Sequence, residues 1–324
     1  SSGSTKHGTP TANSAGVGST SGSSNSGSSN SGGSNSGSSN SGGSTEGSGS
    51  ASRGGSFSDP YAPLAAGVDS ASRLRVDLAQ IPGLSAVQFT GSSAAIALDD
   101  DLRLRSIGAC PWLACLSRGT AGIADAGSDT HVSWGRWTSG NAAVHVLGIP
   151  ATLALNDRQG IHYLVGVPTA SMPTSGTFSY SLQGATRPTV SDGSMAPGSF
   201  QAHATVQFST GQQTRIGLNA KVEMPAFSVT FIAPLSATGA NRLSMTSATE
   251  FSGMLGATLS ASQSALAGAA ALAPANCPAG GCSVQVQGGF YGPAAAQMGL
   301  GYTITGAAGG NRTISGVGVL QKGP

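Results

Sequence analysis

Charge is scarce in this sequence. Asp, Glu, Lys and Arg make up 9% of its 324 residues, where soluble domains carry roughly 25%. That is too little to clothe long solvated helices in charged outer faces, which excludes a helical bundle or coiled coil. The net charge of +2 is spread along the chain and offers no basic stripe of the kind nucleic acid requires. No run of about 18 apolar residues occurs, so no helix of membrane-spanning length is expected. Aromatic residues are 5%, with three Trp, too few for the two girdles of a lipid-facing barrel. The folded part has no Gly-x-Ser-x-Gly elbow, phosphate loop or Gly-x-Gly-x-x-Gly turn. Asp129, Asp157, Asp192, Glu223 and Glu250 stand isolated, and His131, His145, His162 and His203 each stand alone in a strand pattern. No nucleophile is spaced to meet a base, so neither enzymatic activity nor a cofactor or metal is expected.

Glycine, by contrast, is abundant at 50 residues. Of residues 1–50, 33 are Ser or Gly, and none is Ile, Leu, Met, Phe, Trp or Tyr. From Asn25 to Ser44 the segment repeats Asn-Ser-Gly-(Ser or Gly)-Ser four times. Such a stretch buries too little apolar surface to offset an ordering entropy of roughly 1–2 kcal/mol per residue. Residues 1–58 therefore read as a disordered tether with a reach of about 40 Å, ending near Asp59-Pro60. The chain opens on Ser rather than Met, which fits removal of a leader.

From residue 70 the pattern is short alternation bounded by Gly, Pro, Asn and Ser, the signature of strands. Expected strands are Ser85–Thr90, His131–Trp137, Ala142–Leu147, Ile161–Val167, Gly176–Leu182, Phe200–Phe208, Arg215–Met224, Phe227–Ile232, Thr249–Leu259, Ser283–Phe290, Gly299–Thr305 and Thr313–Leu320. Ala261–Leu272 is the single helix expected. No helices alternate with the strands, which excludes a parallel α/β sheet. An antiparallel sheet of this many strands removes its own edges by closing. The fold class expected is all-β: an eight-stranded antiparallel soluble barrel over 127–324, after a small β-rich preface or handle over 59–126. Asp99-Asp100-Asp101 reads as a solvated turn within that preface.

The four cysteines form two matched pairs, Cys110-Pro-Trp-Leu-Ala-Cys115 and Cys277-Pro-Ala-Gly-Gly-Cys282. Pro after the first Cys favours a returning turn, and two local disulfides are expected, each worth roughly 2 kcal/mol. They imply an oxidising compartment. The alternative is a four-Cys zinc site built from both pairs. In Ser133-Trp134-Gly135-Arg136-Trp137, Trp134 and Arg136 share one strand face and Trp137 takes the other. Exposed, these three would make a partner-binding patch; buried, they plug and cap the fold.

Gly289-Phe290-Tyr291-Gly292-Pro293-Ala294, followed by Met298-Gly299-Leu300-Gly301-Tyr302, resembles the last hairpin of transferrin-binding-protein-like β-barrels. These are soluble eight-stranded barrels of Gram-negative surface lipoproteins, and related barrels follow FecR-type domains. Ser133–Trp137 and His162–Thr169, leading to Met172–Thr177 and Gly184–Thr186, agree in order. The resemblance implies that Gly289, Phe290, Gly292, Pro293, Gly299 and Gly301 build the hairpin. It also implies display at the outer surface, or in the periplasm, with membrane contact only through a lipid-modified N-terminal Cys. The function expected is a non-enzymatic module binding a protein partner, by analogy a host iron or haem carrier. The alternatives are a self-assembling structural subunit of a surface layer or filament, and a small-ligand barrel.

Overall fold

The computed structural model describes residues 75–78, 96–108, 114–146, 149–210, 213–236, 238–261, 282–306 and 312–324. The tether, the expected strand 85–90, all of the expected helix 261–272 except Ala261, and both Cys110 and Cys277 lie outside these residues. Nine strands come first: β1 (Arg75–Leu78), β2 (Ile96–Leu98), β3 (Leu104–Gly108), β4 (Ala114–Ser117), β5 (Gly122–Ser128), β6 (Val132–Thr138), β7 (Gly140–Val146), β8 (Ile149–Leu155) and β9 (Ile161–Gly166). Ten follow: β10 (Thr177–Ala185), β11 (Thr189–Val190), β12 (Ser199–Gln207), β13 (Arg215–Glu223), β14 (Phe227–Ala233), β15 (Ser244–Met245), β16 (Glu250–Ala261), β17 (Cys282–Tyr291), β18 (Gln297–Thr305) and β19 (Thr313–Lys322). Ala261, expected to open a helix, instead ends β16.

Eight of these strands close an antiparallel barrel in the order β10-β12-β13-β14-β16-β17-β18-β19, and β19 pairs back onto β10 from Tyr180↔Lys322 to Ala185↔Gly318. The barrel interior is filled by its own side chains. Phe290 packs against Tyr180, Phe208 and Phe251 with ring centroids 6.2, 5.6 and 5.7 Å away, and Phe200 stacks on Tyr302 at 4.6 Å. Ala202 and Ala204, small enough to have left room for a ligand, instead pack into this cluster.

The barrel begins at Thr177, well after the boundary expected at 127. Strands β6, β7 and β9 were expected within it, but they pair elsewhere. One sheet runs β1-β9-β6-β5 and another β2-β3-β4-β7-β8. Trp137, Ile161, Tyr163 and Val165 of the first pack against Leu104, Leu116, Val144 and Leu155 of the second. The opposite face of the first sheet presents Val132, Trp134 and Leu164 to Tyr291, Val317 and Val319 of the barrel wall. Alternation along β6 and β9 therefore separates two cores, and every residue of both strands is buried. Burial on two faces also explains the near-continuous apolar runs of β18 and β19. In β12, exposed Gln201, His203 and Gln207 face water instead.

Close approach at this seam depends on missing side chains. The Trp134 indole lies between Gly127 and Gly184, where an added Cβ would come within 2.3 and 2.1 Å of it. Gly184→Ala should lower stability by about 1–3 kcal/mol through overpacking. Urea denaturation checks this, and a change within 0.5 kcal/mol would show that the seam is loosely packed.

Candidate functional site

The residues expected to reach a partner are buried. Trp134, Arg136 and Trp137 expose 7%, 1% and 0% of their surface, because β6 is the middle of three layers. Trp137 Nε1 donates to the Leu104 carbonyl at 3.1 Å. Arg136 is held by its own polar shell: Nε donates to Asp125 Oδ2 at 2.7 Å, and Nη1 donates to the Gln159 carbonyl at 3.0 Å. Asp125 reaches it because β5 bulges between Ala124 and Gly127 and places Asp125 at φ 53°, re-aiming the side chain as bulges do. The same carboxylate accepts from the Arg187 backbone and Nε at 3.1 and 3.2 Å. Burial pushes the Asp125 carboxyl up, but the hydrogen bonds and charges of Arg136 and Arg187 outweigh it and hold the group below its ordinary value.

His162, beside Arg136 on the same face, is completely enclosed. Its Nδ1 meets Thr186 Oγ1 at 2.7 Å and its Nε2 meets Thr189 Oγ1 at 2.8 Å. A neutral imidazole donates from one nitrogen and accepts at the other, so it can satisfy both hydroxyls. Burial, with the Arg136 charge adding to it and Asp125 opposing it, pushes His162 down to about 3. Thr186 N–H also donates to the Val317 carbonyl at 3.0 Å, and Thr186 Oγ1 accepts from Val317 N–H at 3.1 Å. This cluster ties the segment between β10 and β11 to β9 and β19. It is a structural lock.

The Asp run is likewise a turn. Asp99 accepts from the Arg103 and Asp101 backbones at 2.9 and 3.2 Å and pairs with Arg118 at 2.8 Å. Gly292 at φ 70° and a 3-10 turn over Pro293–Ala295 join β17 to β18, whose register brings Gly289 opposite Gly299. Cys115 and Cys282 are buried and neither is a free thiol. The pairings Cys110–Cys115 and Cys277–Cys282 stand as a proposal. The denatured, unreduced protein should take up no iodoacetamide by intact mass, and four adducts only after reduction. Adducts before reduction would refute the pairing.

An open site exists elsewhere, at the barrel end carrying the β12–β13 turn and the β14–β16 connection. A cleft of about 580 Å³ lies there. Its lining is mainly polar, with Gln207, Gln213, Arg215 and Arg242 exposed, over the buried Phe208, Ile216, Leu243 and Met245. An antiparallel bridge between Ile216 and Leu243 holds the connection against β13. No alternation or motif marks these loops, so sequence reasoning missed the cleft. Arg215 and Arg242, 27 positions apart, are brought together by that bridge.

The fold thus defines a class: a closed eight-stranded antiparallel barrel with two further sheets layered on one side. No protein-family model matches the chain, and no curated protein does either. Among solved structures it is similar to a transferrin binding protein B double mutant from Haemophilus parasuis, with 15% identity over 76% of this chain and 45% of that one, at a TM-score of 0.37. It is also similar to isotype 1 transferrin binding protein B of Neisseria meningitidis, with 16% identity over 77% and 44% at 0.35. A surface lipoprotein matches at 11% identity over 63% and 81%, at 0.33. The chain spans less than half the length of these two transferrin-binding proteins.

Proposed function

We propose that this chain is a non-enzymatic binding module of the bacterial cell surface or periplasm, presented on its Ser/Gly segment and contacting a protein partner through the loops at one barrel end. The observation that carries this reading is the contrast between the two places a barrel can bind. The interior is occupied by Phe200, Phe208, Phe231, Phe251, Phe290 and Tyr302, as expected for eight strands. The end built by the β12–β13 turn and the β14–β16 connection instead opens a cleft to solvent. A host iron- or haem-carrying protein is the first partner class to test. The full chain, immobilised, is exposed to purified transferrin and purified haem-carrying serum proteins, with surface plasmon resonance as the readout. Saturable binding to one of them supports the reading. No saturable binding to any of these carriers overturns the iron- or haem-carrier version.

One observation favours self-assembly as a second reading. β8 pairs only with β7 among the described residues, its sequence Ile-Pro-Ala-Thr-Leu-Ala-Leu carries no charge, and Ile149 is 70% exposed. An uncharged open edge is a template for strand pairing. Sedimentation at rising concentration should show a dimer that Thr152→Lys abolishes; a monomer throughout removes this reading.

A further inference from the structure

We propose that the cleft at the barrel end takes an acidic segment of a protein partner, with Arg215 and Arg242 binding its carboxylates. The inference rests on the binding-module reading and adds the partner's chemistry. In the antiparallel bridge Ile216↔Leu243, the two bridging side chains point inward and are buried. The residue preceding each, Arg215 and Arg242, therefore faces outward on the same side. They stand diagonally across the bridge, at a spacing of roughly 7–8 Å. Gly217, opposite Arg242 in this register, is covered by Leu235, whose backbone and Cβ lie 3.2–3.4 Å from where a Gly217 side chain would begin, so Leu235 shares the outward face with the two arginines.

Arg103, Arg118, Arg136, Arg187, Lys221 and Arg312 each have a carboxylate within 3.4 Å. Among the described basic residues Arg105, Arg158, Lys322, Arg215 and Arg242 have no carboxylate partner, and of these only the last two share a cleft. No Asp or Glu lines that cleft. Two like charges lining one cleft raise its positive potential, which a counter-charge from outside would neutralise. Guanidinium forks match carboxylates with two parallel hydrogen bonds. A protein segment fits better than a polyanionic glycan or nucleic acid, for two reasons. A polyanion is held by an extended basic stripe, and this chain has 15 basic residues against 13 acidic. Pro234 and Leu235 also line the otherwise polar cleft and give an apolar side chain next to an acidic one something to contact.

The test uses the full chain and fluorescence anisotropy with a fluorescein-labelled peptide of alternating Glu and Leu, a Gln-for-Glu version of it, and a heparin fragment. The acidic peptide is expected to bind, the Gln version to bind at least tenfold more weakly, and heparin more weakly than the acidic peptide. R215Q/R242Q should weaken the acidic peptide at least tenfold, while R158Q, at an exposed arginine outside the cleft, leaves it unchanged. Circular dichroism of both variants should match the wild type. Equal peptide binding by wild type and R215Q/R242Q overturns the assignment, as does tighter binding of heparin than of peptide. Peptide binding is read without any partner protein, so failure to retain a carrier protein counts against the module reading alone.

Discussion

Asp125→Asn is expected to remove about 3–5 kcal/mol of unfolding free energy, the cost of stranding a buried charge. Arg136 is 1% exposed, and Asp125 is its only carboxylate partner among the described residues. Without that charge the guanidinium keeps the carbonyls of Gln159 and Asp157 at 3.0 and 3.4 Å, which offer partial charges only. Asparagine is the informative substitution because Asn tolerates the positive φ of this bulge, so backbone conformation is preserved while charge is lost. Asp125→Ala should cost at least as much, with strain at φ 53° added. Arg136→Met should cost less than Asp125→Asn, because Asp125 retains Arg187, a half-exposed partner at 3.2 Å, and methionine refills the apolar volume. Urea unfolding monitored by Trp fluorescence measures all three, and the Asp125→Asn, Arg136→Met double variant gives the coupling directly. A loss under 1 kcal/mol for Asp125→Asn would mean that water reaches Arg136, and the seam would not be the lock described.

The barrel was legible because its strands alternate or run apolar in ways that burial dictates. Phe200, Ala202, Ala204, Val206 and Phe208 point inward while Gln201, His203 and Gln207 stay wet, and period two needs no long-range information. Which sheet a strand joins is not local. Val132–Thr138 reads as a strand from its alternation, but its pairing with β5 and β9 rather than with a barrel strand depends on partners far along the chain. Trp134 and Trp137 were readable as opposite-facing. Their exposure was not, since each face acquires its cover from a different sheet. Asp125 was invisible for a third reason: a bulge breaks the alternation that would have assigned its direction. The arginine pair in the cleft escaped because a bridge between β13 and the distant β14–β16 connection brings it together.

Acidification supplies the other large effect. The folded state holds His162 at about 3, against 6.5 when free. Between these values the unfolded chain binds a proton that the folded chain refuses, so unfolding becomes easier as pH falls. Stability from this residue is complete above about pH 6.5 and declines by about 1.4 kcal/mol per pH unit below it. The physical cause is burial, with the Arg136 charge adding to it and Asp125 opposing it. A second ring proton would place a full charge in an enclosed site beside the Arg136 guanidinium. Carboxylates do not confound the window from pH 6.5 to 5, because the folded-state pKa of Asp125 lies below 3.8 and its contribution is lost only under more acidic conditions. His131, also held low by burial, acts in the same direction. The decisive comparison is therefore with His162→Gln, which keeps a donor and an acceptor but does not titrate. Wild type should lose about 2 kcal/mol between pH 6.5 and 5 by urea unfolding, and His162→Gln at least 1 kcal/mol less. Equal slopes in the two proteins would show that His162 accepts its proton in the folded state, and that the cavity between Thr186 and Thr189 is open to solvent.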